Sequence, residues 1–168
     1  ICDYYRVRGR TIMERGDIDA GTVITRSKYA EYMMKAPANF YYGVLWNKFF
    51  RADIIRTFGI TCSTELNWCE DFLFNLAYIR RAERFCALQA PVYYYMKRKG
   101  SLVSTEAVST EAVKVKFELL EKYRDLYQSI GLYEEHKLKI NSYILAVAKD
   151  GAAGVMTPKS KKLSPENV

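Results

Sequence analysis

The chain has 168 residues, of which 49% are apolar, 14% aromatic and 27% charged, and its formal net charge is +7. This length and balance are typical of one folded domain and exclude a disordered or low-complexity chain. No apolar stretch approaches the roughly 18–20 residues that a membrane-spanning helix needs, and no signal-peptide pattern opens the sequence. Because the first residue is Ile1 rather than Met, we expect the true start to lie upstream.

The first part of the chain predicts short strands followed by a helix. The β-type run Ile1–Val7 leads through a tight turn into a second run, Thr11–Met13. Ser27 can cap a helix that runs to about Lys35, because Pro37 prevents its continuation.

The middle of the chain predicts two helices and two further strands. One helix lies near Ala52–Phe58, and Gly59 ends it. The second runs from Glu70 to Arg81, with Asn67 as its predicted N-cap and apolar residues along one face. The strands are predicted at Arg84–Leu88 and Val92–Met96.

The C-terminal part predicts a helical hairpin. Apolar residues at helical spacing from Val113 to Tyr127 indicate a helix that Gly131 ends. A second helix is predicted from about Glu134 to Asp150, and the residues beyond 156 are predicted to form a flexible tail.

Cysteine and histidine content limits the possible chemistry. The four cysteines form no Cys-x-x-Cys pair, which predicts reduced, mostly buried thiols in a cytosolic compartment and no structural metal site. The single histidine, His136, is interpreted as a surface or packing residue rather than a catalytic base. No glycine-rich P-loop or Rossmann phosphate motif is present.

Residues 41–105 contain motifs in a recognisable order. They are Leu45–Arg51, Leu66–Asn75, Ala90–Tyr95 and Arg98–Leu102. Their order and spacing resemble the second half of bacterial family 2 glycosyltransferases of the GT-A fold, which build capsule, cell-wall and lipopolysaccharide sugars. The resemblance covers about residues 1 to 105, and the helical hairpin is similar to the family's variable C-terminal extension.

The resemblance implies an α/β fold, α+β within this fragment. A partial GT-A domain over residues 1–105, lacking the N-terminal nucleotide-binding half, would be followed by the hairpin over 106–156 and the tail over 157–168. The complete enzyme would transfer a sugar, with inversion, from a nucleoside-diphosphate sugar to a glycan or lipid-linked acceptor in cell-surface polysaccharide synthesis. A divalent metal, Mn or Mg, is expected there with ligands outside this chain, and this chain alone is expected to be inactive.

Inverting sugar transfer needs a general base that takes the proton of the acceptor hydroxyl. The resemblance assigns this role to Asp71, with Glu70 orienting the acceptor or its loop. Trp46 would form an apolar wall against the sugar, and Arg98 would lie in a mobile loop that closes over the donor pyrophosphate. Further polar contacts to acceptor or donor would come from Asn47, Lys48 and Ser101.

Structural explanations for the same residues stay open. Acidic residues are favoured in the first turn of any helix, so Glu70 and Asp71 could serve capping alone. Trp46 could be a core residue. Asp17 and Asp19 spell the family's Asp-x-Asp metal motif, but the family motif ends a buried strand that precedes the one at Ile1–Val7. We therefore interpret this pair as part of a loop.

Two other function classes compete with an enzyme. A non-catalytic binding or scaffold remnant would keep this core without the donor half. A nucleic-acid-binding module is least favoured, because the aromatic residues sit in apolar runs rather than among the basic clusters. The expected partners are therefore a nucleotide sugar and its acceptor, with no nucleic acid. The expected location is the cytoplasm, with basic C-terminal helices holding the enzyme at the anionic inner face of the membrane.

Overall fold

The computed structural model describes residues 1–8, 10–35, 39–63, 69–96 and 110–150, with backbone alone for residues 8, 110–114, 116 and 143–150. Five strands lie in these ranges: β1 (Tyr4–Arg8), β2 (Arg10–Glu14), β3 (Val23–Thr25), β4 (Arg84–Cys86) and β5 (Tyr94–Met96). The same ranges contain six helices: α1 (Arg26–Met34), α2 (Phe40–Gly43), α3 (Ala52–Phe58), α4 (Glu70–Ile79), α5 (Thr110–Ser129) and α6 (Tyr133–Asp150). The described chain is therefore mixed α/β and compatible with the α+β class.

Two small sheets organise the strands. In the first, β1 lies between β2, with which it forms an antiparallel hairpin, and β5, to which it is parallel. Tyr5 is the partner of both Met13 and Tyr94 across this sheet. The second sheet pairs β3 with β4 in antiparallel orientation. The strands predicted from the sequence are confirmed, and the parallel pairing brings residues near 95 beside the start of the chain.

Glycines end two helices where the sequence predicts it. Gly59 has φ 58° after α3, and Gly131 has φ 73° after α5. This left-handed backbone costs glycine little, because glycine has no Cβ. The predicted helical hairpin of α5 and α6 is confirmed over the described residues. The predicted loop before residue 110 and the tail over 157–168 lie outside them.

Two predicted helix caps differ in the structure. Thr25, not Ser27, caps α1, and its Oγ1 accepts a hydrogen bond from the Lys28 N–H at 3.3 Å. The reason is that Thr25 ends β3 in an extended conformation, so the helix begins directly at the end of the strand. Asn67 lies outside the described residues, and Cys69 occupies the N-cap position of α4 without a side-chain cap bond.

The hairpin shares one core with the preceding elements. The buried residues of this core come from β1, α1, α2, α4, α5 and α6, in that order Tyr4, Met33, Tyr41, Leu76, Tyr127 and Ile140. The Tyr127 hydroxyl donates a hydrogen bond to the Ala30 carbonyl at 2.6 Å, which joins α5 to α1. The domain boundary near residue 105 stays a prediction. None of the helices in the described ranges is long and apolar enough to cross a membrane.

Two buried tyrosines offer a matched test of this packing. Tyr127→Phe removes the bond to Ala30 and leaves a buried carbonyl without that partner, so we expect the free energy of unfolding to fall by about 1–3 kcal/mol. The Tyr4 hydroxyl is buried and has no hydrogen-bond partner among the described residues. We therefore expect Tyr4→Phe to leave the free energy of unfolding unchanged or to raise it. Urea titration of both variants measures the two changes. Equal losses for the two variants would contradict this view of the core.

Candidate functional site

The site is built on the peptide group between Val44 and Leu45, which follows α2. The Val44 carbonyl accepts hydrogen bonds from Lys48 Nζ at 2.5 Å and from Asn75 Nδ2 at 3.2 Å. On the other side of the same peptide, the Leu45 N–H donates to Asp71 Oδ2 at 3.1 Å. This single peptide group therefore joins three side chains.

Two of those side chains come from one face of α4. Asp71 and Asn75 are four residues apart, and residues at this spacing are neighbours on a helix surface. Asn75 is buried, and its amide also donates to the Gly43 carbonyl at 2.7 Å. The start of α4 is thus fixed against the end of α2 by hydrogen bonds to backbone groups.

Asn47 connects the same segment to the start of the chain. It is fully buried, and its Nδ2 donates to the Tyr41 carbonyl at 2.9 Å and to the Cys2 carbonyl at 3.4 Å. The Cys2 N–H returns a bond to the Asn47 carbonyl at 2.8 Å. In this arrangement Asn47 orders the backbone, and its contact with a substrate stays a prediction.

Lys48 is partly exposed as a whole residue, but its ammonium nitrogen is surrounded by oxygen acceptors. Nζ lies 2.5 Å from the Val44 carbonyl, 2.8 Å from Asn47 Oδ1 and 3.1 Å from the Tyr41 carbonyl. Burial lowers the pKa of Lys48 to about 7, and the negative charge of Asp71 acts in the opposite direction. Lys48 is therefore a cation whose charge depends on pH near neutrality.

Trp46 attaches this segment to the aromatic residues of β5 and the residue before it. Its ring is stacked on Tyr93 with centroids 4.4 Å apart and on Tyr95 at 5.5 Å, and it meets Tyr4 edge-on at 4.7 Å. Trp46 is partly buried in this cluster, while Tyr93 keeps 40% of its surface exposed. An aromatic wall is thus present, and its use against a sugar stays a prediction.

The residue before the two predicted catalytic carboxylates has an unusual backbone. Cys69 has φ 64°, and among the described residues it is the one non-glycine with positive φ. Such a conformation costs a non-glycine residue about 1–3 kcal/mol, and conformations of this kind cluster at functional sites. Glu70 and Asp71 follow in the first turn of α4, where the helix dipole favours negative charge.

The structure brings together most of the residues predicted from the sequence. Asp71 and Lys48 both bind the Val44–Leu45 peptide, Trp46 and Asn47 follow it directly in the chain, and Glu70 is adjacent to Asp71 in α4. Arg98 and Ser101 lie outside the described residues. Sequence reasoning did not single out Asn75, although its place four residues after Asp71 was a usable signal.

A cavity of about 660 Å³ reaches the edge of this site. Lys48 and Asn75 line it, whereas neither Asp71 nor Trp46 does. The remaining lining mixes aromatic and charged side chains, among them Phe50, Tyr78, Arg51, Arg81, Arg84, Asp53 and Glu83. The cavity therefore touches the candidate site through Lys48 and Asn75 and does not contain the predicted base.

The described residues offer no metal cluster of three or more His, Cys, Asp or Glu side chains. Asp17 and Asp19 lie in the loop between β2 and β3, as predicted, and the Asp17 carboxylate is 3.4 Å from the Lys35 ammonium group.

The His136 ring meets Tyr127 edge-on, with centroids 5.8 Å apart. The four cysteines are present as thiols, but Cys62 and Cys86 are exposed, so the prediction of mostly buried thiols was wrong for these two.

Comparison with protein-family models, with curated proteins and with solved structures returns no match for this chain. Its function is therefore inferred from the residues of the site and from the order of the sequence motifs.

The backbone role of Asn47 is tested by Asn47→Ala. Truncation removes two buried N–H donors and one of the three acceptors of Lys48, so we expect the free energy of unfolding to fall by about 2–4 kcal/mol in urea titrations. Gln128→Ala changes an exposed side chain and should stay within about 0.5 kcal/mol of the native protein. An Asn47→Ala variant as stable as Gln128→Ala would show that these bonds do not support the site.

Proposed function

We propose that this chain is the acceptor-side, C-terminal part of an inverting family 2 glycosyltransferase of the GT-A fold. One observation carries the proposal: motifs that are distant in the sequence meet at one place. Asp71 binds the Leu45 N–H 26 positions away, and Trp46 stacks on Tyr93. Three of the motifs on which the resemblance depends therefore contribute to a single site, as a shared function requires.

The proposed base is Asp71. In the reaction, the acceptor hydroxyl oxygen forms a bond to the anomeric carbon of the donor sugar, and the bond from that carbon to the diphosphate breaks. The electron pair leaves with the nucleoside diphosphate, and the hydroxyl proton passes to the Asp71 carboxylate. Asp71 Oδ2 already accepts the hydrogen bond from the Leu45 N–H, so we assign Oδ1 as the oxygen that takes the hydroxyl proton.

Two features support a functional rather than a purely capping role for Asp71. Its carboxylate is held by a backbone N–H of another segment, which fixes it on a rigid support. The strained backbone at Cys69 directly precedes Glu70 and Asp71, and helix capping alone does not require such strain. Glu70 is assigned the role of orienting the acceptor or its loop.

The remaining contacts follow from the resemblance. Trp46, backed by its stacked tyrosines, supplies the apolar wall, while Arg98 and Ser101 act on the donor diphosphate. The divalent metal, Mn or Mg, would neutralise diphosphate charge in the complete enzyme, and its ligands are assigned outside this chain. The described residues contain no group of three or more His, Cys, Asp or Glu side chains that could hold it.

The proposed location is the cytoplasm, in contact with the inner face of the membrane. The predicted role of basic C-terminal helices in this contact was wrong for α5 and α6, since α5 carries four basic and four acidic residues and α6 carries three of each. The surplus positive charge of the chain lies outside these two helices.

Asp71→Asn in the complete protein tests the proposed base. The amide oxygen can still accept from the Leu45 N–H, so the fold should persist while proton transfer is lost. We expect sugar transfer to slow by about 100-fold or more, with the affinity for the nucleotide sugar unchanged by calorimetry.

Asp125→Asn is the matched control, because Asp125 lies on α5 and forms an exposed ion pair with Arg80. It should transfer sugar at the native rate. Native turnover in Asp71→Asn, or no transfer by the native protein with any nucleotide sugar, would favour the non-catalytic scaffold instead.

A further inference from the structure

The contacts of Lys48 reach Asp71 through one peptide group. Lys48 Nζ binds the Val44 carbonyl, and the N–H of that same peptide, on Leu45, binds Asp71 Oδ2. Hydrogen bonds in a chain polarise one another, so a cation on the carbonyl strengthens the N–H as a donor. Lys48 and Asp71 are thus connected although they lie on different segments.

The surroundings of Nζ match a protonated lysine. An ammonium group has three N–H donors, and three oxygens accept from Nζ: those of Tyr41, Val44 and the Asn47 side chain. A neutral amine has two N–H groups, so on losing its proton Lys48 must give up one of these bonds. The charge of Lys48 therefore changes the geometry of the turn that presents the Leu45 N–H.

The titratable groups that face Lys48 come from two directions. The Asp71 carboxylate of α4 and the Cys2 thiol before β1 both favour its charged form, whereas burial disfavours it. The α-amino group of Ile1 is a like charge, and Lys48 contributes to the lowering of its pKa. Burial is the largest of these effects, which makes the proton of Lys48 removable near neutral pH.

We propose that Lys48 is a positioning residue for Asp71, acting through the Val44–Leu45 peptide, and that its protonated form holds the carboxylate in place for acceptor activation. The inference rests on the proposed role of Asp71 as the base. Lys48 itself takes no proton from the substrate. Its protonation decides whether the Leu45 N–H is a strong, fixed donor to Asp71.

The test follows the Leu45 amide by NMR in the ¹⁵N-labelled chain between pH 5.5 and 9. In the native chain, we expect the Leu45 amide proton resonance to titrate with a midpoint near pH 7, the value to which burial brings the pKa of Lys48. Lys48→Met removes the cation and should abolish this titration. Lys48→Arg keeps a positive charge over the whole pH range, so its Leu45 amide proton resonance should stay at the position that the native chain shows at low pH.

A native Leu45 resonance that does not move with pH would overturn the inference, as would the same titration in Lys48→Met. Because the native titration and Lys48→Arg each give a result, the inference stays testable even where Lys48→Met does not fold. The Leu45 amide resonance is measured without any substrate, so the NMR experiment does not depend on sugar transfer.

The pH profile of the complete protein supplies the second readout. Native sugar transfer should be about tenfold slower at pH 8 than at pH 6, because the protonated fraction of Lys48 falls by that factor. Lys48→Arg should lack this alkaline decline. If Lys48→Arg still loses activity at alkaline pH, the inference is overturned. If the native protein transfers no sugar at any pH, the proposed function is overturned, and the NMR result alone decides the role of Lys48.

Discussion

Both polar atoms of a largely buried peptide group need hydrogen-bond partners, and the candidate site depends on how the Val44–Leu45 peptide obtains them. Its carbonyl is bound by Lys48 and Asn75, and its N–H is bound by Asp71. These partners come from different parts of the chain. Satisfying one peptide therefore fixes α4 against the 44–48 segment and orients the carboxylate that the proposed chemistry needs.

Aromatic packing sets the frame around this peptide. Trp46 lies against Tyr4 of β1 and Tyr95 of β5, so the parallel pairing of these strands and the position of the segment support each other. Large rings contribute much apolar area per residue, which suits a chain whose sheets are small. The hydrogen bond from the Tyr127 hydroxyl to the Ala30 carbonyl attaches the hairpin to α1.

Much of the fold follows from local sequence patterns. Gly59 and Gly131 marked helix ends because their left-handed backbone is a local requirement. The local sequence does not show that Thr25 rather than Ser27 caps α1, because both side chains carry a hydroxyl. The pairing of β3 with β4 decides between them. The sequence motifs indicated where the site lies. They could not show the burial of Asn47, which long-range packing determines.

A double-mutant cycle between Lys48 and Asp71 tests most directly that these side chains act as one unit. Free energies of unfolding at pH 6 would be compared for the native protein, Lys48→Met, Asp71→Ala and the double variant. We expect a coupling of at least about 0.5 kcal/mol, because either single change weakens the same chain of hydrogen bonds. Losses that add within about 0.3 kcal/mol would mean that the Val44–Leu45 peptide does not couple the two residues.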